Sequence, residues 1–156
     1  NHKVDPERIC ILGGSYGGYA ALMAAATQQA PFKCAASFAG VSDLQMLLNK
    51  ARNFSNYDIV KKQLVGDKGG VEPSQSPINS VEKIVIPVMM IHGEKDIVVD
   101  VEQSRVMYDA MKKHNKLVEY IELENGDHNM SIEENRLKVL SSLQSFLSRH
   151  LPVTIE

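Results

Sequence analysis

The stretch that decides the fold is Ile11–Ala26, ILGGSYGGYAALMAAA. A β-branched run, Ile9-Cys10-Ile11, drives into Gly13, Gly14, Ser15, Tyr16, Gly17 and Gly18, and an alanine-rich helical pattern follows at once. Glycine loses more backbone entropy on folding than any other residue, so four of them around one serine need a geometric reason. The pattern G-x-S-x-G between a strand and a helix supplies one. It is the sequence of a sharp turn that lifts a serine hydroxyl clear of the carboxyl edge of a sheet. Residues two positions to either side of Ser15 then lie where side chains would collide with the packed strand and helix. The amino terminus of the helix stands directly behind the hydroxyl, so the Tyr16 N–H can face a developing oxyanion. Two rival glycine motifs fail. G-x-G-x-x-G fits no register here, and a P-loop needs Lys and Ser or Thr where Tyr19 and Ala20 stand.

Working outward, the chain alternates strand and helix signals. Arg8–Leu12 and Cys34–Phe38 read as short buried strands, with a helix over residues 16–29 that stops before Pro31. Residues 43–49 and 56–64 read as short helices capped by Ser42 and Ser55. Residues 66–77 are rich in turn formers and read as loop. Ile84–Ile91 is the strongest strand candidate, with Pro87 fitting best near its start. Asp100 with Gln103 reads as a capping box opening a helix whose apolar stripe is Val106, Met107, Ala110 and Met111. Leu117–Leu123 reads as a strand. Ser131 with Glu134 opens a last helix with a Leu137, Leu140, Leu143 and Leu147 face. This order predicts an α/β fold of about four mainly parallel strands with helices on both faces, in one domain over residues 1–156.

Bulk properties narrow the function. The 156 residues carry 44% hydrophobic and 23% charged side chains at a net charge of −2, which gives no electrostatic case for a nucleic acid or an anionic membrane as partner. No run is apolar and long enough to span a bilayer. No cofactor motif and no metal-ligand spacing is present, and the two cysteines, Cys10 and Cys34, read as small buried hydrophobes. Serine at neutral pH is a poor nucleophile and needs a base oriented by an acid. On such a sheet the order along the chain is serine, acid, histidine. Asp96, in IHGEKDIVVD, follows the Ile84–Ile91 strand, and His128, in LENGDHNM, follows the final strand. Both loops leave carboxyl ends of strands, where sites on open α/β sheets gather. His92 reads instead as a structural turn histidine, and His2, His114 and His150 lack an orienting acid. Asp43 and Asp100 read as helix-start residues, and Asp127 adjoins His128 too closely to orient it.

The stretches DPERICILGGSYGGYAAL, SPINSVEKIVIPVMMIHGEKDIVVDVEQS and ENGDHNM resemble the catalytic domain of the prolyl oligopeptidase family. That resemblance implies a partial α/β-hydrolase fold, with Ser15, Asp96 and His128 as catalytic triad and the Tyr16 N–H in the oxyanion hole. It also implies Val99 in the wall of the pocket for the residue before the cleaved bond, and peptides as substrates. Family members carry earlier strands and a second oxyanion donor upstream of the elbow strand. This sequence is therefore expected to be the carboxyl-terminal part of a hydrolase domain, weakly active or inactive by itself. Its Arg8–Leu12 strand would be a bare edge, open to pairing in a homodimer or larger assembly. A carboxylesterase of the same fold and a non-catalytic assembly domain are the competing readings. The compartment of the parent, cytoplasmic or exported, is left open.

Overall fold

A computed structural model describes residues 5–28, 30–52, 55, 57–66 and 70–151. Four strands, β1 (Cys10–Gly14), β2 (Cys34–Phe38), β3 (Val88–Gly93) and β4 (Val118–Leu123), form one sheet in the order β1-β2-β3-β4, every pair parallel. Parallel neighbours need crossover connections, and helices supply them. α1 (Tyr16–Thr27) joins β1 to β2, and α4 (Glu102–Lys113) joins β3 to β4. The long β2–β3 connection holds α2 (Leu44–Ala51), α3 (Tyr57–Val65) and two 3-10 segments, Pro73–Gln75 and Pro77–Lys83. α5 (Glu133–His150) closes the chain.

Alternation along the strands sorts the core into two layers, because successive side chains point to opposite faces. Ala35, Val88 and Met90 meet Leu22 and Ala25 of α1 and Met107 and Met111 of α4. Ala36, Met89, Ile91 and Leu123 meet Val139 and Phe146 of α5 on the other face. The inner strands β2 and β3 are thus buried on both sides, which explains why β3 reads as a continuous apolar run. β1 is an edge strand, and Leu12 on it is 56% exposed.

The boundaries shift where side-chain chemistry outweighs periodicity. β1 runs two residues past Leu12, into the glycines. β3 begins at Val88, directly after Pro87, since proline has no N–H for the ladder; Ile84 ends the preceding 3-10 segment. α1 ends at Thr27, with Gln28 left-handed at φ 52°. Asp43, not Ser42, caps α2: its Oδ1 accepts from the N–H groups of Gln45 (2.8 Å) and Met46 (3.1 Å). α3 begins at Tyr57; Asn56, expected as its first residue, lies outside the described residues. Gln103 closes no capping box. It is buried and reaches across to the β2–α2 turn, where its Oε1 accepts from the N–H groups of Ser42 (2.9 Å) and Asp43 (2.8 Å). Ser131 does not cap α5 either, because its hydroxyl donates to Asp127 at 2.5 Å. Leu137 and Leu140 are 60% and 65% exposed; Val139 and Phe146 carry the buried side of α5 instead. The cysteines differ too. The parallel register sets Cys10 opposite Cys34, with Cα atoms 4.7 Å apart, and the two form a disulfide rather than standing as separate hydrophobes.

Candidate active site

Ser15 sits between β1 and α1 with φ 55° and ψ −119°. A non-glycine residue with such angles is strained by about 1–3 kcal/mol and persists only where its surroundings hold it. They do so by hydrogen bonding and by close packing. The Ser15 N–H donates to the Phe38 carbonyl at 2.8 Å, and its own carbonyl accepts from the Tyr19 N–H at 3.1 Å, starting the ladder of α1. Gly13 must be glycine, since a Cβ there would stand 2.5 Å from the Gly17 carbonyl carbon. Gly18 must be glycine because a Cβ would lie 2.8 Å from the Gly40 Cα, where α1 rests against the end of β2. Gly17 differs from the steric expectation: a Cβ there would meet nothing within 4 Å. Tyr16 is 78% exposed beside the bend, and its ring tilts against Tyr19 at 5.6 Å. The Tyr19 hydroxyl donates to the Gln75 carbonyl at 2.9 Å, tying α1 to the β2–β3 connection, and burial raises its pKa.

Asp96 lies in the turn after β3, 6% exposed. Its Oδ1 accepts from the N–H groups of Val98 (2.8 Å) and Val99 (2.9 Å), and its Oδ2 accepts from His128 Nδ1 at 2.7 Å. That last bond joins residues 32 positions apart, from loops following different strands. The loops meet because two glycines touch. A Cβ on Gly93 would stand 2.6 Å from the Gly126 carbonyl carbon and 3.0 Å from the Asp127 nitrogen. Backbone bonds seal the contact: Lys95 N–H to the Gly126 carbonyl at 2.8 Å, and Glu94 N–H to the Leu123 carbonyl at 3.0 Å.

The turn carrying His128 has its own clasps. Asp127 accepts from the N–H groups of Asn129 (3.2 Å) and Ser131 (2.9 Å) as well as the Ser131 hydroxyl, and the Ser131 bonds hold its carboxyl below the usual range. Arg136 of α5 donates to the carbonyls of Met130 (2.8 Å) and Ser131 (3.0 Å). With Nδ1 donating to Asp96, the imidazole presents Nε2 as its basic nitrogen.

The structure therefore joins Asp96 and His128 directly and sets Ser15 on the same carboxyl edge, at the end of β1 with β2 between it and β3. Val99 is 5% exposed and packs with Val41, Leu44 and Tyr19, so it stands behind the acid turn, while Ile97 and Val98 are the exposed apolar residues of that turn. Asp43 stands at the start of α2 as its cap, and Asp100 accepts from Lys50 at 2.9 Å, which lowers its pKa. His114 ends α4, and His150 meets the Phe146 ring edge-on at 4.7 Å; His2 lies outside the described residues. Among the described residues, no group of three or more His, Cys, Asp or Glu is placed to hold a metal ion. An apolar cavity of about 320 Å³ lies between Gly13, Gly14, Phe38 and Ile91 on the sheet and Val139, Leu140 and Leu143 on α5; neither Ser15 nor His128 lines it. Sequence reading missed the Gly93–Gly126 contact, although a glycine at a strand end is a signal of close backbone approach.

Comparison with known proteins agrees with the fold. The model of the prolyl oligopeptidase family matches residues 1–154. The chain is 27% identical to the uncharacterized peptidase YuxL of Bacillus subtilis over 95% of its own length and 23% of that protein's. It is 31% identical to the esterase LipQ of Mycobacterium tuberculosis over 80% of its length and 33% of that protein's. An acylaminoacyl peptidase of Pyrococcus horikoshii superimposes with a TM-score of 0.82 at 27% identity, covering 97% of this chain and 25% of that one. The chain thus spans between about a quarter and a third of these relatives.

Proposed function

Because the chain belongs to the prolyl oligopeptidase family, we propose that Ser15, His128 and Asp96 act together in peptide-bond hydrolysis through an acyl-enzyme. The observation that carries this reading is the 2.7 Å bond from His128 Nδ1 to a carboxylate already gripped by two backbone N–H groups. A carboxylate so held fixes the tautomer of the imidazole and stabilises the imidazolium that forms when a proton arrives. His128 Nε2 takes the proton of Ser15 as the hydroxyl oxygen attacks the scissile carbonyl carbon. The same proton then passes to the leaving amine as the C–N bond breaks. Water, deprotonated by His128, attacks the acyl-enzyme and restores Ser15. The Tyr16 N–H, at the first residue of α1, faces the developing oxyanion with the helix dipole behind it. The exposed apolar residues Ile97 and Val98, with the Tyr16 ring, form the wall for the side chain before the cleaved bond, and Val99 backs them from inside the turn.

One missing oxyanion donor lowers the rate by about a hundred- to a thousandfold. With Tyr16 as the one donor on this sequence, weak turnover of activated esters, and little or none of peptides, is expected from this chain. Labelling with a fluorophosphonate probe tests the site. Covalent labelling that disappears in Ser15→Ala and falls sharply in His128→Ala supports the assembled triad; a folded sample that never labels refutes it. The esterase relative favours one alternative, ester hydrolysis by the same three residues. Parallel rates on a p-nitrophenyl ester and an aminoacyl anilide separate the two.

A further inference from the structure

We propose that His92 is a positioning residue for Asp96, holding the acid turn in the shape that delivers its carboxylate to His128. This rests on the reading of Asp96 and His128 as acid and base. His92 is the penultimate residue of β3 and is fully buried. Both of its ring nitrogens are engaged. Nε2 lies 3.0 Å from the Val99 carbonyl, which can only accept, so Nε2 carries the proton. Nδ1 lies 2.8 Å from Ser104 Oγ and accepts from that hydroxyl. The ring thus bridges β3, the acid turn and α4.

Its place relative to the carboxylate gives this bridge a function. His92 Nε2 is 3.4 Å from Asp96 Oδ2, the same oxygen that accepts from His128. The ring therefore closes the turn from one side, while the Val98 and Val99 N–H groups hold Oδ1 from the other. Val99 is the key link, since its N–H grips Asp96 and its carbonyl is gripped by His92. Remove the ring and that carbonyl loses its partner, Val99 is free to turn, and Oδ2 gains room to swing away from His128. Burial also pushes the His92 imidazole below its ordinary pKa, against the opposing pull of the Val99 carbonyl, Asp96 and Asp100 and together with the push of His128. A neutral His92 leaves the carboxylate charge to His128 alone. A phenylalanine would fill the same space with none of these bonds.

Three variants test the role: His92→Phe, His92→Gln, whose Nε2 can still donate to Val99, and Ser104→Ala. Long-range proton–nitrogen NMR correlations read the ring tautomers without any need for activity, and fluorophosphonate labelling reads the site. The unmodified protein should show His92 as the Nε2–H form and His128 as the Nδ1–H form. In His92→Phe, His128 should become a mixture of tautomers, with labelling slowed by about tenfold or more, as displacements under 1 Å can do. His92→Gln should stay within about threefold of the unmodified protein. Should His92→Phe fail to fold, Ser104→Ala decides: it should loosen the His128 tautomer and slow labelling by about threefold. The proposal is overturned by an Nδ1–H form of His92, or by a folded His92→Phe or Ser104→Ala in which both readouts stay unchanged. Unlabelled protein with the tautomers as stated and responding to His92→Phe would defeat the catalytic reading yet uphold the positioning of Asp96.

Discussion

Substituting Gly93 by alanine should dismantle the acid–imidazole pair while leaving every charged side chain in place. The added Cβ would stand 2.6 Å from the Gly126 carbonyl carbon and closer still to its oxygen, whereas ordinary contacts begin at 3.4 Å, so the two loops must part by at least 3.4 − 2.6 = 0.8 Å. The neighbour is backbone, sealed by the Lys95 to Gly126 bond, and cannot rotate aside as a side chain would. Carried to the pair itself, that displacement stretches the 2.7 Å bond between Asp96 and His128 to about 3.5 Å, beyond useful hydrogen-bond length. Overpacking of this kind destabilises a fold by about 1–3 kcal/mol, and a misplacement near 1 Å can lower catalysis by about a hundredfold. The assay pairs a thermal melt with the rate of fluorophosphonate labelling at Ser15. Gly93→Ala should melt earlier and label about a hundredfold more slowly. A folded Gly93→Ala that labels within threefold of the unmodified chain would refute the claim that this glycine contact sets the pair. Gly17→Ala is the matched control. Its Cβ meets nothing within 4 Å, and alanine suits a helix better than glycine by roughly 0.5–1 kcal/mol, so it should melt at the same temperature or higher.

Other outcomes follow from the core, the buried imidazole and the sheet edge. Phe146→Ala empties a fully buried site against the α5 face and should cost about 3–5 kcal/mol, lowering the melting temperature by roughly 10 °C. Stability should decline as pH falls below 6.5: there the unfolded chain protonates His92 while the folded chain, its pKa depressed by burial, does not. One proton bounds the slope at about 1.4 kcal/mol per pH unit, and urea midpoints at about pH 7 and about pH 5.5 should differ less in His92→Gln. Asp100 and Glu122, held low by Lys50 and Arg105, act in a separate window, losing their contributions only as pH falls below the ordinary carboxylate range. We also propose that the β1 edge pairs with a second copy. Sedimentation velocity should show a dimer or larger species that Leu12→Lys dissociates, and a purely monomeric unmodified chain would overturn this.

The fold class was legible because strand and helix periods alternate cleanly, and the elbow because glycine and serine stand at spacings few other structures demand. Asp96 and His128 could be picked by chain order and by their loops at strand ends. Side chains that act across elements were not legible. Gln103 fits a capping box in one dimension, yet in the fold its amide serves a turn 60 residues away. Leu143 and Leu147 pack against the core as their helical period predicts, but Leu137 and Leu140 stand exposed, and Val139 and Phe146 fill the buried face of α5. His92 looked like a turn residue because its partners, Val99 and Ser104, become neighbours only once β3 and α4 pack. The cysteine pairing needed the β1–β2 register, which no spacing reveals.

The glycine-to-glycine seam between the loops after β3 and β4 also divides the site mechanically. Carboxylate and imidazole ride on one welded block, whereas the hydroxyl belongs to a separate strand, coupled to that block through the width of β2 and through Tyr19 of α1 packed with Val99. Shear or twist between β1 and β2 would then alter the gap between nucleophile and base without disturbing the base's own alignment. The Cys10–Cys34 crosslink ties β1 to β2 at their amino ends, so its reduction is a perturbation to which the gap should respond before the base's own alignment does.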